Sequence, residues 1–93
     1  MSAAKLARLY RVRGRVQGVG FRYFAEHSAN ALGLAGWVRN RDDGSVEVYA
    51  VGTPEQLSEL AGLLWKGPRW AEVRGVEEVE AAVEEPAGFF VRQ

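Results

Sequence analysis

Cysteine is absent from this 93-residue chain, which excludes disulfides, thiolate nucleophiles and cysteine-held metal sites together. Histidine occurs once, as His27, so there is no histidine pair for a zinc centre. Lysine is scarce: Lys5 and Lys66 are the only two, and every other cationic side chain is arginine. No apolar run approaches the roughly 18 residues of a membrane span, and Met1 to Lys5 offers no apolar stretch fit for a signal peptide. These absences predict a cytoplasmic protein with no membrane partner, no metal and no cofactor.

What is present is ordinary globular material. Hydrophobic residues make up 47% and charged residues 26%, a balance that argues against disorder. The length predicts one domain over residues 1–93, a free-standing unit with no linker or repeat and a monomer by default. The formal net charge is zero, yet the charges are unevenly placed. Eight basic residues and one acid, Glu26, lie before Asp42, whereas eleven acids and four bases follow from Asp42 onward. Such asymmetry can mark an anion-binding surface. It equally fits basic strands paired with acidic strands, so that the charges cancel in space.

Apolar periodicity divides the chain into tightly spaced elements. Leu9 to Val16 alternates, with Tyr10, Val12, Gly14 and Val16 on one face, and reads as a strand. Gln17-Gly18-Val19-Gly20 is a turn. Phe21, Phe24, Ala25, Ser28, Ala29 and Leu32 then form a helical stripe, ended by Gly33. Ala35 to Arg41 and Val46 to Val51 are strand-like runs around an Asp-Gly turn, a hairpin signal. Thr53-Pro54-Glu55-Gln56 matches a capping box with proline at the first helical position, and Leu57, Leu60, Ala61 and Leu64 supply the second helical stripe. Val73 to Val83 is ambiguous by spacing, since Val73, Val76 and Val79 stand three apart, although β-branched content favours a strand. Phe89 to Val91 reads as a short final strand. The order predicts an α+β, ferredoxin-like βαββαβ sandwich: a mostly antiparallel sheet with two helices on one face.

The segment Gly14 to Arg22 carries the chemistry. A glycine-rich turn between a strand and a helix N-terminus lets backbone N–H groups converge on one anion. Arg22 falls in the first turn of that helix, where a cation opposes the helix dipole unless an anion is bound. Its guanidinium fork suits a phosphate. A tight turn with a solvated arginine is the plainer alternative.

Val16-Gln17-Gly18-Val19-Gly20-Phe21-Arg22 resembles the phosphate-loop signature of the acylphosphatase family. Gly33-Leu34-Ala35-Gly36-Trp37-Val38-Arg39-Asn40 is similar to the family's second signature, and Asp43-Gly44-Ser45-Val46-Glu47 to its hairpin. The resemblance runs from about Tyr10 to the C-terminus. It implies a ferredoxin-like sandwich with Val76 on a strand, and hydrolysis of small acyl phosphates to carboxylate and inorganic phosphate. It further implies that Arg22 and the N–H groups of Gln17, Gly18, Val19, Gly20, Phe21 and Arg22 hold the phosphoryl group. Asn40 would orient the attacking water. Without the resemblance, asparagine just before a turn reads as turn chemistry.

Other residues keep plainer readings. His27 is expected to be solvated, Asp42 and Asp43 to form the turn, and Trp37, Trp65 and Trp70 to pack, while Arg15 could tune the loop's potential. One competing function is a nucleic-acid module using Tyr49, Arg11 and Arg13 on an open sheet face, but no aromatic motif of that kind is visible and the second half is acidic. The other is a non-catalytic phosphate-binding module, which would bind phosphate without turnover.

Overall fold

The computed structural model of the chain describes residues 4–93. Seven elements follow one another: β1 (Leu6–Arg15), α1 (Phe21–Ala31), β2 (Ala35–Asn40), β3 (Val46–Gly52), α2 (Pro54–Lys66), β4 (Glu72–Ala81) and β5 (Phe89–Val91). The strands form one sheet in the order β4-β1-β3-β2-β5. All pairs are antiparallel except β2 with the short β5. This is the ferredoxin-like sandwich expected from the sequence. β1 begins at Leu6, three residues earlier than alternation alone suggests, because Leu6 pairs with Gly52 at the far end of β3. The ambiguous segment is strand: β4 pairs with β1 from Glu72 to Ala81, with an irregularity at Arg13/Gly14. As the outer strand of the sheet, with only the faces of Val73 and Val76 packed on the core, it does not need strict alternation.

Helices and sheet meet in one core. Tyr10, Val12, Val38, Val46, Val48 and Ala50 supply the sheet side, and Phe21, Ala25, Ala29, Leu57, Leu60 and Leu64 the helix side. Burial of each large apolar side chain contributes roughly 1.5–3 kcal/mol. The phenol of Tyr10 reaches across this core and donates to the Leu57 carbonyl at 2.9 Å. The predicted capping box of α2 forms in full: the Gln56 N–H donates to Thr53 Oγ1 at 3.2 Å, and the Thr53 N–H donates to Gln56 Oε1 at 2.8 Å. No helix among the described residues is long and apolar enough to cross a membrane.

The opposite sheet face is partly covered. Ala7, Tyr49 and Val51 are buried there beside Leu9, Trp37 and Ala81. The Tyr49 hydroxyl donates to the Ala82 carbonyl at 2.6 Å and accepts from the Glu84 N–H at 2.8 Å, which fastens the segment after β4 over the face.

Candidate active site

The two helices begin in opposite ways. α2 has its capping box and an acid, Glu55, in its first turn. α1 has no side-chain cap and no acid in its first turn. Its N-cap is Gly20, held at φ 79° in the left-handed region, two residues after Gly18 at φ 74°. That conformation costs roughly 1–2 kcal/mol for residues with a side chain, which accounts for glycine at both positions. A Cβ on either would meet nothing within 4 Å, so backbone angle and not crowding by the protein demands glycine. The first intrahelical bond runs from the Phe24 N–H to the Gly20 carbonyl at 3.0 Å. The N–H groups of Phe21, Arg22 and Tyr23 therefore have no acceptor within the helix.

Phe21, Arg22 and Tyr23 line a cleft of about 320 Å³. One wall is the loop and α1, with Gly18, Gly20, Arg22, Tyr23 and Glu26. The other is formed by the ends of two strands, with Asn40 from β2 and Val91 and Gln93 from β5 and its continuation. Arg22 and Asn40, 18 positions apart in sequence, thus line the same cleft. The helix presents Arg22 there, and the parallel pairing of β2 with β5 sets the strand wall.

Most other arginines are already committed. Arg8 pairs with Glu78 at 2.7 Å, and Arg13 with Glu77. Glu47, only 4% exposed, is ringed by Arg39 at 2.7 Å, Arg41 at 3.1 Å and Arg11 at 4.0 Å. Arg11 and Arg39 are the direct cross-strand neighbours of Glu47. Cross-strand cancellation therefore explains the charge asymmetry. Arg22 is outside every ion pair among the described residues.

Of the loop residues, Gly18, Gly20, Phe21 and Arg22 line the cleft, and Gln17 and Val19 lie outside its lining. Val19 packs against the core. The Gln17 side chain points to the β2–β3 hairpin, where Nε2 donates to the carbonyls of Arg41 at 2.7 Å and Ser45 at 2.9 Å. Sequence reading missed this clamp because it depends on a contact 24 and 28 residues away. It also missed Tyr23 and Glu26. The signal for Glu26 was its i+4 spacing from Arg22, which places both on one side of α1.

The remaining expectations resolve simply. Asp43 builds the hairpin turn, accepting from the Ser45 hydroxyl at 2.6 Å and the Ser45 N–H at 2.9 Å. These two bonds, the hydroxyl first, hold its carboxyl below the usual carboxylate range. His27 is exposed and stacks on Tyr23, with centroids 5.5 Å apart. Trp37 packs, stacked on Tyr49 and flanked by the guanidinium groups of Arg92 and Arg39. Trp65 and Trp70 differ from expectation: both are exposed, since one faces outward on α2 and the other sits in the turn beyond it. Phe90 is also exposed. Arg15 is exposed and outside the cleft. Tyr49, Arg11 and Arg13, the residues of the nucleic-acid alternative, are engaged within the chain.

The fold agrees with known proteins. The Acylphosphatase family model matches residues 8–91. An acylphosphatase of Solibacter usitatus is 62% identical over 86 residues, covering 92% of this chain and 90% of that protein. The crystal structure of acylphosphatase from Bacillus subtilis superposes with a TM-score of 0.92 at 38% identity, over 95% of this chain and 99% of the other. That of an acylphosphatase from Coxiella burnetii gives 0.91 at 39% identity, over 95% and 93%. The protein is therefore a small ferredoxin-like hydrolase. Specifically, the chain belongs to the acylphosphatase family.

Proposed function

We propose that the cleft between α1 and the ends of β2 and β5 is the acylphosphatase active site, with Arg22 as the phosphoryl-binding cation and Asn40 as the residue that orients water. The observation that carries this reading is an uncapped helix N-terminus whose first-turn arginine has no ion-pair partner among the described residues and shares a cleft with Asn40. The free N–H groups at the start of α1, the helix dipole and the guanidinium all favour the same anion.

In the reaction, water attacks phosphorus, the bond from phosphorus to the acyl oxygen breaks, and carboxylate and inorganic phosphate leave. A carboxylate is a good leaving group, so no general acid is essential. A phosphate oxygen of the substrate can take the proton of the water. What remains for the protein is positioning and stabilisation of charge spread over the phosphoryl oxygens. The backbone N–H groups of Gln17, Gly18, Val19, Gly20, Phe21 and Arg22 are the donors to the phosphoryl oxygens in this reading. Loss of one well-placed donor costs on the order of 10²–10³ in rate.

The same reading takes residues 1–93 as one domain acting as a monomer in the cytoplasm on a small acyl phosphate, without nucleic acid, metal or cofactor. The absence of cysteine and the engagement of the sheet-face arginines support it. Hydrolysis of benzoyl phosphate with EDTA present tests it. The parent should turn over, and folded Arg22→Ala and Asn40→Ala should each lose at least about a hundredfold. A folded parent without turnover overturns the reading.

A further inference from the structure

With the ion pairs set aside, the remaining side-chain charges sort by their place along the sheet. β1 runs toward the cleft, and its ten residues span about 30 Å at ~3.3 Å per residue. At the cleft end Arg15, Arg22, Lys66 and Arg69 are outside every ion pair among the described residues, against two unpaired acids, Glu26 and Asp42. At the far end Glu55, Glu80, Glu84 and Glu85 are unpaired, against Lys5. The formal net charge is zero, yet the free charges form a dipole whose positive end is the cleft.

Three of these cations stand beside the cleft without lining it. Arg15, Lys66 and Arg69 are all exposed. Arg15 precedes Val16, a cleft residue. Lys66 precedes Gly67, which abuts Phe21 so closely that an added Cβ would stand 3.2 Å from the ring. Arg69 lies in the next turn, closed by the Ala71 N–H on the Pro68 carbonyl at 3.0 Å, with its guanidinium over the Trp70 ring. Lys66 also complements the C-terminal end of the α2 dipole. Arg15 has no such local use.

We infer that Arg15, Lys66 and Arg69 form an electrostatic collar that draws the substrate's phosphoryl group toward Arg22 without touching it. This deepens the function proposed above and rests on its assignment of Arg22. A phosphoryl group carries up to two negative charges near neutral pH. Like charges gathered around a cleft raise the local concentration and capture rate of such an anion by about 10–10³. A unit charge about 12 Å from a dianion in water changes its capture by about threefold. The screening length is about 30 Å in 0.01 M salt and about 8 Å at 0.15 M. The collar therefore acts fully at low ionic strength and weakly at high.

The test measures kcat and KM for benzoyl phosphate from about 0.01 M to about 0.3 M salt. It compares the parent with a variant combining Arg15→Gln, Lys66→Gln and Arg69→Gln. The neutralised variant should keep the parent kcat and lose about tenfold in kcat/KM at low salt, with the gap closing to about twofold at high salt. Each single substitution should lose about threefold at low salt, which keeps the test available if the combined variant unfolds. Combined Arg15→Lys, Lys66→Arg and Arg69→Lys, which keeps the charges, should follow the parent throughout, as should Lys5→Gln at the far end. A folded neutralised variant that matches the parent at low salt, or falls below it by one factor at every salt concentration, overturns the inference and leaves the active-site assignment intact. An equal loss in Lys5→Gln does the same. A folded parent that does not hydrolyse benzoyl phosphate overturns both.

Discussion

Gln17 and Arg41 are joined by a hydrogen bond of 2.7 Å from the side-chain amide of one to the main-chain carbonyl of the other. Asn40 is the residue before that carbonyl, and Gln17 lies inside the glycine loop. The second bond from the same nitrogen, to Ser45 at 2.9 Å, spans the hairpin that the Arg41 N–H closes onto the Ser45 carbonyl. One side chain therefore sets the separation between the anion loop and the strand end that carries Asn40.

Gln17→Ala should accordingly reduce kcat more than it raises KM, because it loosens the position of Asn40 without removing Arg22. Loss of the two bonds should also cost about 1–2 kcal/mol of stability. Steady-state kinetics beside a urea titration check both. Intact kcat with the full stability loss would make the clamp a purely structural bond.

Tyr10 gives the fold an alkaline limit. Burial, reinforced by the Glu78 carboxylate and opposed by Arg8, pushes its phenol up to about 12, against 10.0 in an unfolded chain. Below pH 10 the phenol is protonated in both states and the fold is unaffected. Between about 10 and 12 the unfolded chain gives up the proton while the folded one keeps it, so stability falls by roughly 2–3 kcal/mol. Urea midpoints measured from pH 9 to 12 should decline more steeply in the parent than in Tyr10→Phe. Parallel declines would contradict this account.

Glu47 is the anionic centre of the outer sheet face. Its carboxylate is nearly buried among Arg11, Arg39 and Arg41, and the Nε atoms of Arg11 and Arg41 are buried without hydrogen-bond partners among the described residues. Removing the one shared acid leaves these guanidinium groups facing one another. Glu47→Ala should destabilise the protein by about 3–5 kcal/mol, read as a drop in thermal midpoint, whereas Glu77→Ala, whose partner Arg13 is exposed, should cost about 1 kcal/mol or less. Equal losses would refute the difference in burial.

The sequence made the elements legible where one local rule dominated. The Thr53–Gln56 box, the helical leucines of α2 and the Asp-Gly turn each depend on residues only a few positions apart. β4 was not legible from its pattern, because an outer strand whose pairing shifts at Gly14 has no strict alternation to display. At the candidate site, Arg22 and the loop glycines declared themselves through the conflict between a cation and an uncapped helix start. Asn40 was visible through family resemblance alone, since its place across from Arg22 follows from strand order. The wall made by Val91 and Gln93 had no local signal, because it arises from the parallel pairing of β5 with β2.

The most direct test of the division of labour between Arg22 and Asn40 is inhibition by inorganic phosphate measured together with kcat in Asn40→Ala. If Asn40 orients water and Arg22 holds the phosphoryl group, kcat should fall by about 10²–10³ while the inhibition constant for phosphate stays within a few-fold of the parent. A variant that loses phosphate affinity in proportion to its activity, or keeps the parent kcat, would contradict the account.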